Sequence, residues 1–134
     1  RLFIELKAEH SAFPVAEIIK HYVEHMGWSY EQFFVCSFDH LQIAGIRAVN
    51  ANIHTCALLV GIPVSLAAIA QEAGAMAINP NIHHMNAALV KDAHTRGLKV
   101  FTWTVNAQAD IAKAHAYGVD GIMSDFPDRL EWKN

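Results

Sequence analysis

Basic runs, paired-cysteine motifs, low-complexity tracts and long apolar stretches are all missing from this 134-residue chain. Lys and Arg total 10 against 13 Asp and Glu, a net charge of −3 with no basic block, which argues against nucleic acid and anionic membrane as partners. The longest apolar run, 55–66, is too short to cross a bilayer and is interrupted by Pro63, so no transmembrane segment is expected. The two cysteines, Cys36 and Cys56, have no Cys-x-x-Cys spacing and lie in apolar runs, where reduced thiols act as small hydrophobes. That usage suits a reducing, cytoplasmic setting. The opening residues have neither a charged lead-in nor a small-residue cleavage site, so no secretory leader is expected. A chain that opens on Arg1, inside an apolar strand-like run, reads as part of something longer.

What is present is a regular alternation. With 53% hydrophobic residues and a mean hydropathy of +0.17, the chain has the makings of one ordered domain spanning residues 1–134. Strand-like runs are expected at 2–7, 33–38, 53–60, 76–79, 98–105 and 119–124. Helical patterns follow at 13–26, 41–49, 64–73, 86–96 and 107–117. Pro14 suits a first helical turn and Asp39 an N-cap, while Gly74, Gly97 and Gly118 each close a helix and lead into the next strand. Strand, loop, helix and glycine recur every ~20–25 residues, the signature of an α/β fold with parallel strands. Two architectures satisfy this pattern, an open doubly wound sheet and an incomplete eight-stranded barrel. The first strand–helix turn, Ala8-Glu9-His10-Ser11-Ala12, has no glycine, which disfavours a dinucleotide site and puts the barrel ahead.

In either parallel fold, chemistry gathers at the C-terminal ends of strands. Those ends carry Glu5 and Lys7; Ser37, Phe38 and Asp39; Leu59 to Gly61; Asn79 to Asn81; Trp103, Thr104 and Asn106; and Ser124 with Asp125. Glu5 and Lys7 are two apart, so on a strand they point to the same side. Two unlike charges on so apolar a strand are costly unless they meet a metal, an anion or each other. A hard cation, Mg²⁺ or Ca²⁺, would take Glu5 as an oxygen ligand, and Lys7 would offset charge on a phosphate. The competing reading is a surface ion pair on an edge strand. His21-x-x-Glu24-His25 has zinc-type spacing, but so short a match in a chain with 9 histidines carries little weight, and it sits away from this rim. His83-His84 reads as a solvated loop, Asn106 as the cap of the following helix, and Asp125 as a turn residue before Pro127.

Four segments, in order, carry a family resemblance. They are Phe3-Ile4-Glu5-Leu6-Lys7, Cys36-Ser37-Phe38-Asp39, Gly97-Leu98-Lys99-Val100-Phe101-Thr102-Trp103-Thr104-Val105-Asn106 and Gly118-Val119-Asp120-Gly121-Ile122-Met123-Ser124-Asp125-Phe126-Pro127. The chain resembles the latter two-thirds of a glycerophosphodiester phosphodiesterase. That resemblance implies a (β/α)₈ TIM barrel of the phospholipase-C-like type, present here as strands three to eight. It also implies divalent-cation-dependent hydrolysis of glycerophosphodiesters to glycerol 3-phosphate and an alcohol. Carried over by position, Glu5 matches a metal-ligand carboxylate, Lys7 a residue near the phosphate, and Trp103 and Phe38 aromatics of the substrate pocket. The family's His-Arg-Gly, Glu-x-Asp and His-Asp motifs have no match within these residues, so no catalytic histidine is assigned and the chain alone is expected to be inactive. A related phosphodiesterase barrel acting on phosphoinositides or sphingomyelin, and a non-catalytic truncated barrel serving binding or assembly, are the alternatives. An incomplete barrel exposes sheet edges, so self-association is a further expectation.

Overall fold

A computed structural model describes residues 1–130. The strands are β1 (Leu2–Glu5), β2 (Phe33–Ser37), β3 (His54–Leu59), β4 (Ala77–Pro80), β5 (Lys99–Thr102) and β6 (Gly121–Ile122). Between them run α1 (Ala12–His25), α2 (His40–Val49), α3 (Ala68–Glu72), α4 (Ala87–Thr95) and α5 (Gln108–Tyr117). All pairings are parallel, and the sheet order follows the chain, β1-β2-β3-β4-β5-β6.

That order decides between the two architectures. A doubly wound sheet needs a point where strand order reverses, and there is none here. Right-handed crossovers between strands added always on one side put every helix on the same face, so the sheet curls. The aromatic rings measure the curl. Phe3 on β1 meets Phe101 on β5 edge-on at 5.4 Å between centroids. Four strand spacings in a flat sheet would hold those residues roughly 19 Å apart. The fold is an open half-barrel of the TIM type.

The alternation of side chains divides the sheet into two layers. Val35, Ile46, Ile53 and Ile19 pack between α1, α2 and the sheet, and Ile43, Ile78, Leu89, Val90 and Val100 continue that layer under α3 to α5. The concave face is smaller and carries Phe34, Cys36, Cys56, Leu58 and Ala77, with Phe101 and Trp103 against them. Cys36 and Cys56 are register partners on β2 and β3, both buried and both free thiols.

Local signals are met at most helix ends. The Asp39 carboxylate accepts from the Leu41 amide at 3.0 Å, and Asn86 caps α4 by accepting from the Leu89 amide at 2.9 Å. Gly118 ends α5 at φ 73°, a left-handed conformation that a side chain would strain. The strands are shorter than their apolar runs. β1 stops at Glu5, leaving Lys7 beyond it, and Trp103 lies just past β5, bridging Asn81, where the Trp103–Thr104 peptide is cis. Apolar character persists past the last ladder bond because these ends still face the interior. The helix expected at 64–73 begins only at Ala68, since Pro63 to Leu66 is taken up by a turn closed by the Leu66 amide on the Pro63 carbonyl. Asn106 is not a helix cap. Its Oδ1 accepts from the Asp125 amide at 3.0 Å and from Ser124 Oγ at 3.2 Å, tying two rim loops together instead.

Candidate active site

The C-terminal ends of the strands enclose a cavity of about 300 Å³. Glu5 from β1, Cys36 from β2, Leu58 from β3, Asn79 from β4 and Met123 beyond β6 line it, with Phe38, Trp103 and Asp125 contributed by the loops. Curling brings these together: each strand ends on the same rim, and its inward-facing residue meets those of strands several places away.

Of the four residues singled out in the sequence, three share this cavity. Glu5 lies on its wall. Phe38 and Trp103 stand edge-to-face at 5.7 Å, an arrangement aromatic pairs favour. The indole is held by its Nε1–H, which donates to the Asn79 carbonyl at 2.9 Å, so one flank of the cavity is a fixed aromatic surface. Lys7 is not among the lining residues. Its Nζ lies 3.6 Å from Glu5 Oε2, with the two side chains 77% and 37% exposed. The burial cost that the opening strand suggested is therefore not incurred: the charges meet each other on an edge strand in contact with water, where such a pair contributes little, about 0–1 kcal/mol. Lys7 reaches the cavity through Glu5.

Burial and charge mark the interior. The Cys36 thiol is pushed up to about 11, first by burial and then by the Glu5 carboxylate beside it. The Cys56 thiol is also raised, by complete burial and by Cys36. Both stay protonated at neutral pH and serve as packing groups.

Two residues placed on the rim by the sequence, without a cavity role, line the site. Asp125 lines the cavity as well as accepting from Asn106 Nδ2 at 2.8 Å, so it is more than a turn residue. Asn79 is fully buried, yet its Oδ1 has no hydrogen-bond partner and its Nδ2 donates only to Met123 Sδ at 3.6 Å. An unsatisfied buried polar atom costs about 1–3 kcal/mol. The signal was visible in principle: a polar residue in step with Ala77 on an otherwise apolar strand, at the end where sites form.

The other histidines and the metal question resolve plainly. His21 and His25 lie 4.9 Å apart, ring to ring, on the exposed face of α1. No group of three or more His, Cys, Asp or Glu among the described residues could hold a metal ion. The described residues therefore do not form a metal centre by themselves. Glu5 and Asp125 nonetheless put two carboxylates on one cavity. No described helix is long and apolar enough to cross a membrane.

At the opposite, N-terminal end of the strands lies a second cleft, of about 410 Å³, with Arg1, Arg47, His54, Arg96 and Lys99 around it. Burial lowers the His54 pKa, and the charges of Arg1, Arg47 and Lys99 add to that against an opposing pull from Glu31.

The profile of the glycerophosphoryl diester phosphodiesterase family matches residues 4–129. The chain is 28% identical over 129 residues to a glycerophosphodiester phosphodiesterase of Bacillus altitudinis, covering 94% of this chain and 52% of that protein. It superposes on the crystal structure of a candidate glycerophosphoryl diester phosphodiesterase from Silicibacter pomeroyi DSS-3 with a TM-score of 0.82 and 28% identity, over 96% of this chain and 48% of the other. An Oleispira antarctica phosphodiesterase in complex with its product sn-glycerol-3-phosphate shares the fold at a TM-score of 0.78 and 18% identity, over 95% of this chain and 52% of that one. The chain thus spans about half the length of these proteins.

Proposed function

The chain belongs to the glycerophosphoryl diester phosphodiesterase family, and from that premise we propose that it forms one part of a site that hydrolyses glycerophosphodiesters to glycerol 3-phosphate and an alcohol. The observation that carries this reading is the convergence of Glu5, Phe38, Trp103 and Asp125 on one cavity at the C-terminal rim of a half-barrel.

The electrostatics say what else the site requires. A phosphodiester is an anion, and a cavity with two carboxylates repels it unless positive charge is supplied. Lys7 brings one such charge to the mouth through its contact with Glu5. A divalent cation, Mg²⁺ or Ca²⁺, would supply the rest, with Glu5 as one of its oxygen ligands and the remaining ligands coming from outside the described residues. The Phe38–Trp103 surface would take the carbon skeleton of the substrate, and Lys7 would stabilise negative charge developing on the phosphoryl oxygens. General acid–base work belongs to histidines that residues 1–134 do not match, so the chain alone is inactive. Among the described residues the outer edges of β1 and β6 are unpaired, which favours closure by further strands or by a second molecule.

The test uses the chain as it stands. Calorimetry with sn-glycerol 3-phosphate should show binding that depends on millimolar Mg²⁺ or Ca²⁺ and weakens at least roughly tenfold in Glu5→Gln, the smaller cost of disturbing a metal's surroundings. Binding that ignores both the cation and the substitution would remove Glu5 from the site. Turnover of glycerophosphocholine by the isolated chain would overturn the claim that its machinery is incomplete.

A further inference from the structure

We propose that the side-chain amide of Asn79 recognises a hydroxyl on the polyol arm of the ligand, fixing which end of a glycerol phosphate enters the cavity. The assignment rests on the reading of this cavity as a glycerophosphodiester site and adds to it the group that reads the glycerol.

The argument begins with an unpaired atom. Asn79 is fully buried in the body of the sheet, yet its Oδ1 has no partner and its Nδ2 meets only the thioether of Met123. Exchanging the amide oxygen and nitrogen would still leave one strong polar group without a partner, a donor in place of an acceptor, and a hydroxyl, which both donates and accepts, would pair with either. Asn79 is among the residues around the cavity, with its amide oxygen buried just behind the cavity surface. A buried amide left in this state on the wall of a cavity is complementary to a polar group that arrives from outside.

Chemistry then selects which group. With Nδ2 on the sulfur, the free atom is an acceptor, and an acceptor requires a donor. An ionised phosphoryl oxygen carries no proton and is repelled; an alcohol hydroxyl donates. The backbone carbonyl of Asn79 accepts from Trp103 Nε1, so the side-chain amide and the indole are held by one residue and stand beside each other. Together they match a short polyol, with C–H groups against the ring and a hydroxyl on the amide oxygen. The phosphoryl group is left to the Glu5–Lys7 end, where the charges lie.

The experiment compares sn-glycerol 3-phosphate with ethyl phosphate, which has the same ionisable group and no hydroxyl, on the 134-residue chain in the presence of millimolar Mg²⁺ or Ca²⁺. The wild type should prefer glycerol 3-phosphate by about tenfold, the scale of one buried hydrogen bond. Asn79→Leu, similar in size but unable to accept, should bring that ratio close to one by weakening glycerol 3-phosphate more than ethyl phosphate. A second measurement needs no variant: the Asn79 side-chain carbonyl resonance should move on adding glycerol 3-phosphate and stay in place with ethyl phosphate. Equal affinities in the wild type, an unchanged ratio in Asn79→Leu, or an unmoved resonance overturns the role given to Asn79, leaving at most a resident water on that oxygen. Failure of both phosphates to bind overturns the underlying functional reading as well, so the two failures are told apart.

Discussion

At the C-terminal ends of the strands the sheet carries a cavity of about 300 Å³ with Glu5 and Asp125 on its wall; at the N-terminal ends it carries a cleft of about 410 Å³ with Arg1, Arg47, Arg96 and Lys99 around it. Charge alone would send a phosphodiester to the basic end. The bonding says otherwise. Arg96 Nε donates to Asp92 Oδ2 at 2.8 Å and Arg96 Nη1 to Gln71 Oε1 at 2.7 Å. Arg47 donates to the carbonyls of Ala51 and Ile53. Both arginines sit at helix C-termini, where a cation offsets the partial negative charge of the helix end. They hold helix ends and loops in place. At the other rim the Asn79 amide lacks a strong partner, while Glu5 pairs with Lys7 and Asp125 accepts from Asn106 beside the cavity. The contrast lies in the arginines and the Asn79 amide, since His54 Nδ1 in the basic cleft is also a buried atom without a partner.

The comparison is most severely strained at the wall both ends share. A Cβ added at Gly121 would lie 2.6 Å from Phe101 Cδ1, and that ring is wedged against Phe3 and Phe34. Gly121→Val should destabilise the chain by about 1–3 kcal/mol, the usual range for overpacking, as read by urea denaturation. A neutral result would mean that the concave face yields and that neither cavity is a fixed shape.

Lys7→Met should separate the two ends. With its ammonium gone, glycerol 3-phosphate binding should weaken by a few-fold, while Tm stays put because the pair is exposed. A drop in Tm with unaltered binding would make Lys7 a structural residue.

The smallest effect belongs to the basic end. The Asp92 carboxyl is held below its ordinary 3.8, foremost by the hydrogen bond from Arg96, with the Ala67 amide adding to it against the opposing effect of burial. A depressed carboxyl contributes stability that is present above the ordinary value and lost as pH falls through the lowered one. Asp92→Asn should therefore lower Tm by a few degrees at pH 7, with the gap to the wild type closing as acid is added and ligand affinity unaffected. A gap that persists unchanged at low pH would assign the loss to packing.

Much of this was legible from the residues in order. Alternating apolar patterns and the glycines after α3, α4 and α5 located the elements, because hydrophobic period and left-handed glycine are properties of a few adjacent residues. Glu5, Phe38 and Trp103 were singled out the same way, as polar or aromatic residues where inward-facing runs stop. Lys7 was read as a phosphate-side residue, with a surface ion pair to Glu5 as the alternative; the structure shows that pair and no Lys7 among the residues lining the cavity. The strand it was placed on ends two positions earlier.

Local patterning determined the parallel α/β repeat, the strand-end rim and the family to which the chain belongs, since each depends on short-range spacing and residue type. The curl that brings Phe3 within 5.4 Å of Phe101 was decided only by the folded sheet. So were the unmatched amide of Asn79, the entry of Asp125 into the cavity and the engagement of the arginines beneath. Those facts depend on which distant side chains share a volume, and hydrogen-bond satisfaction is a property of that volume rather than of any segment.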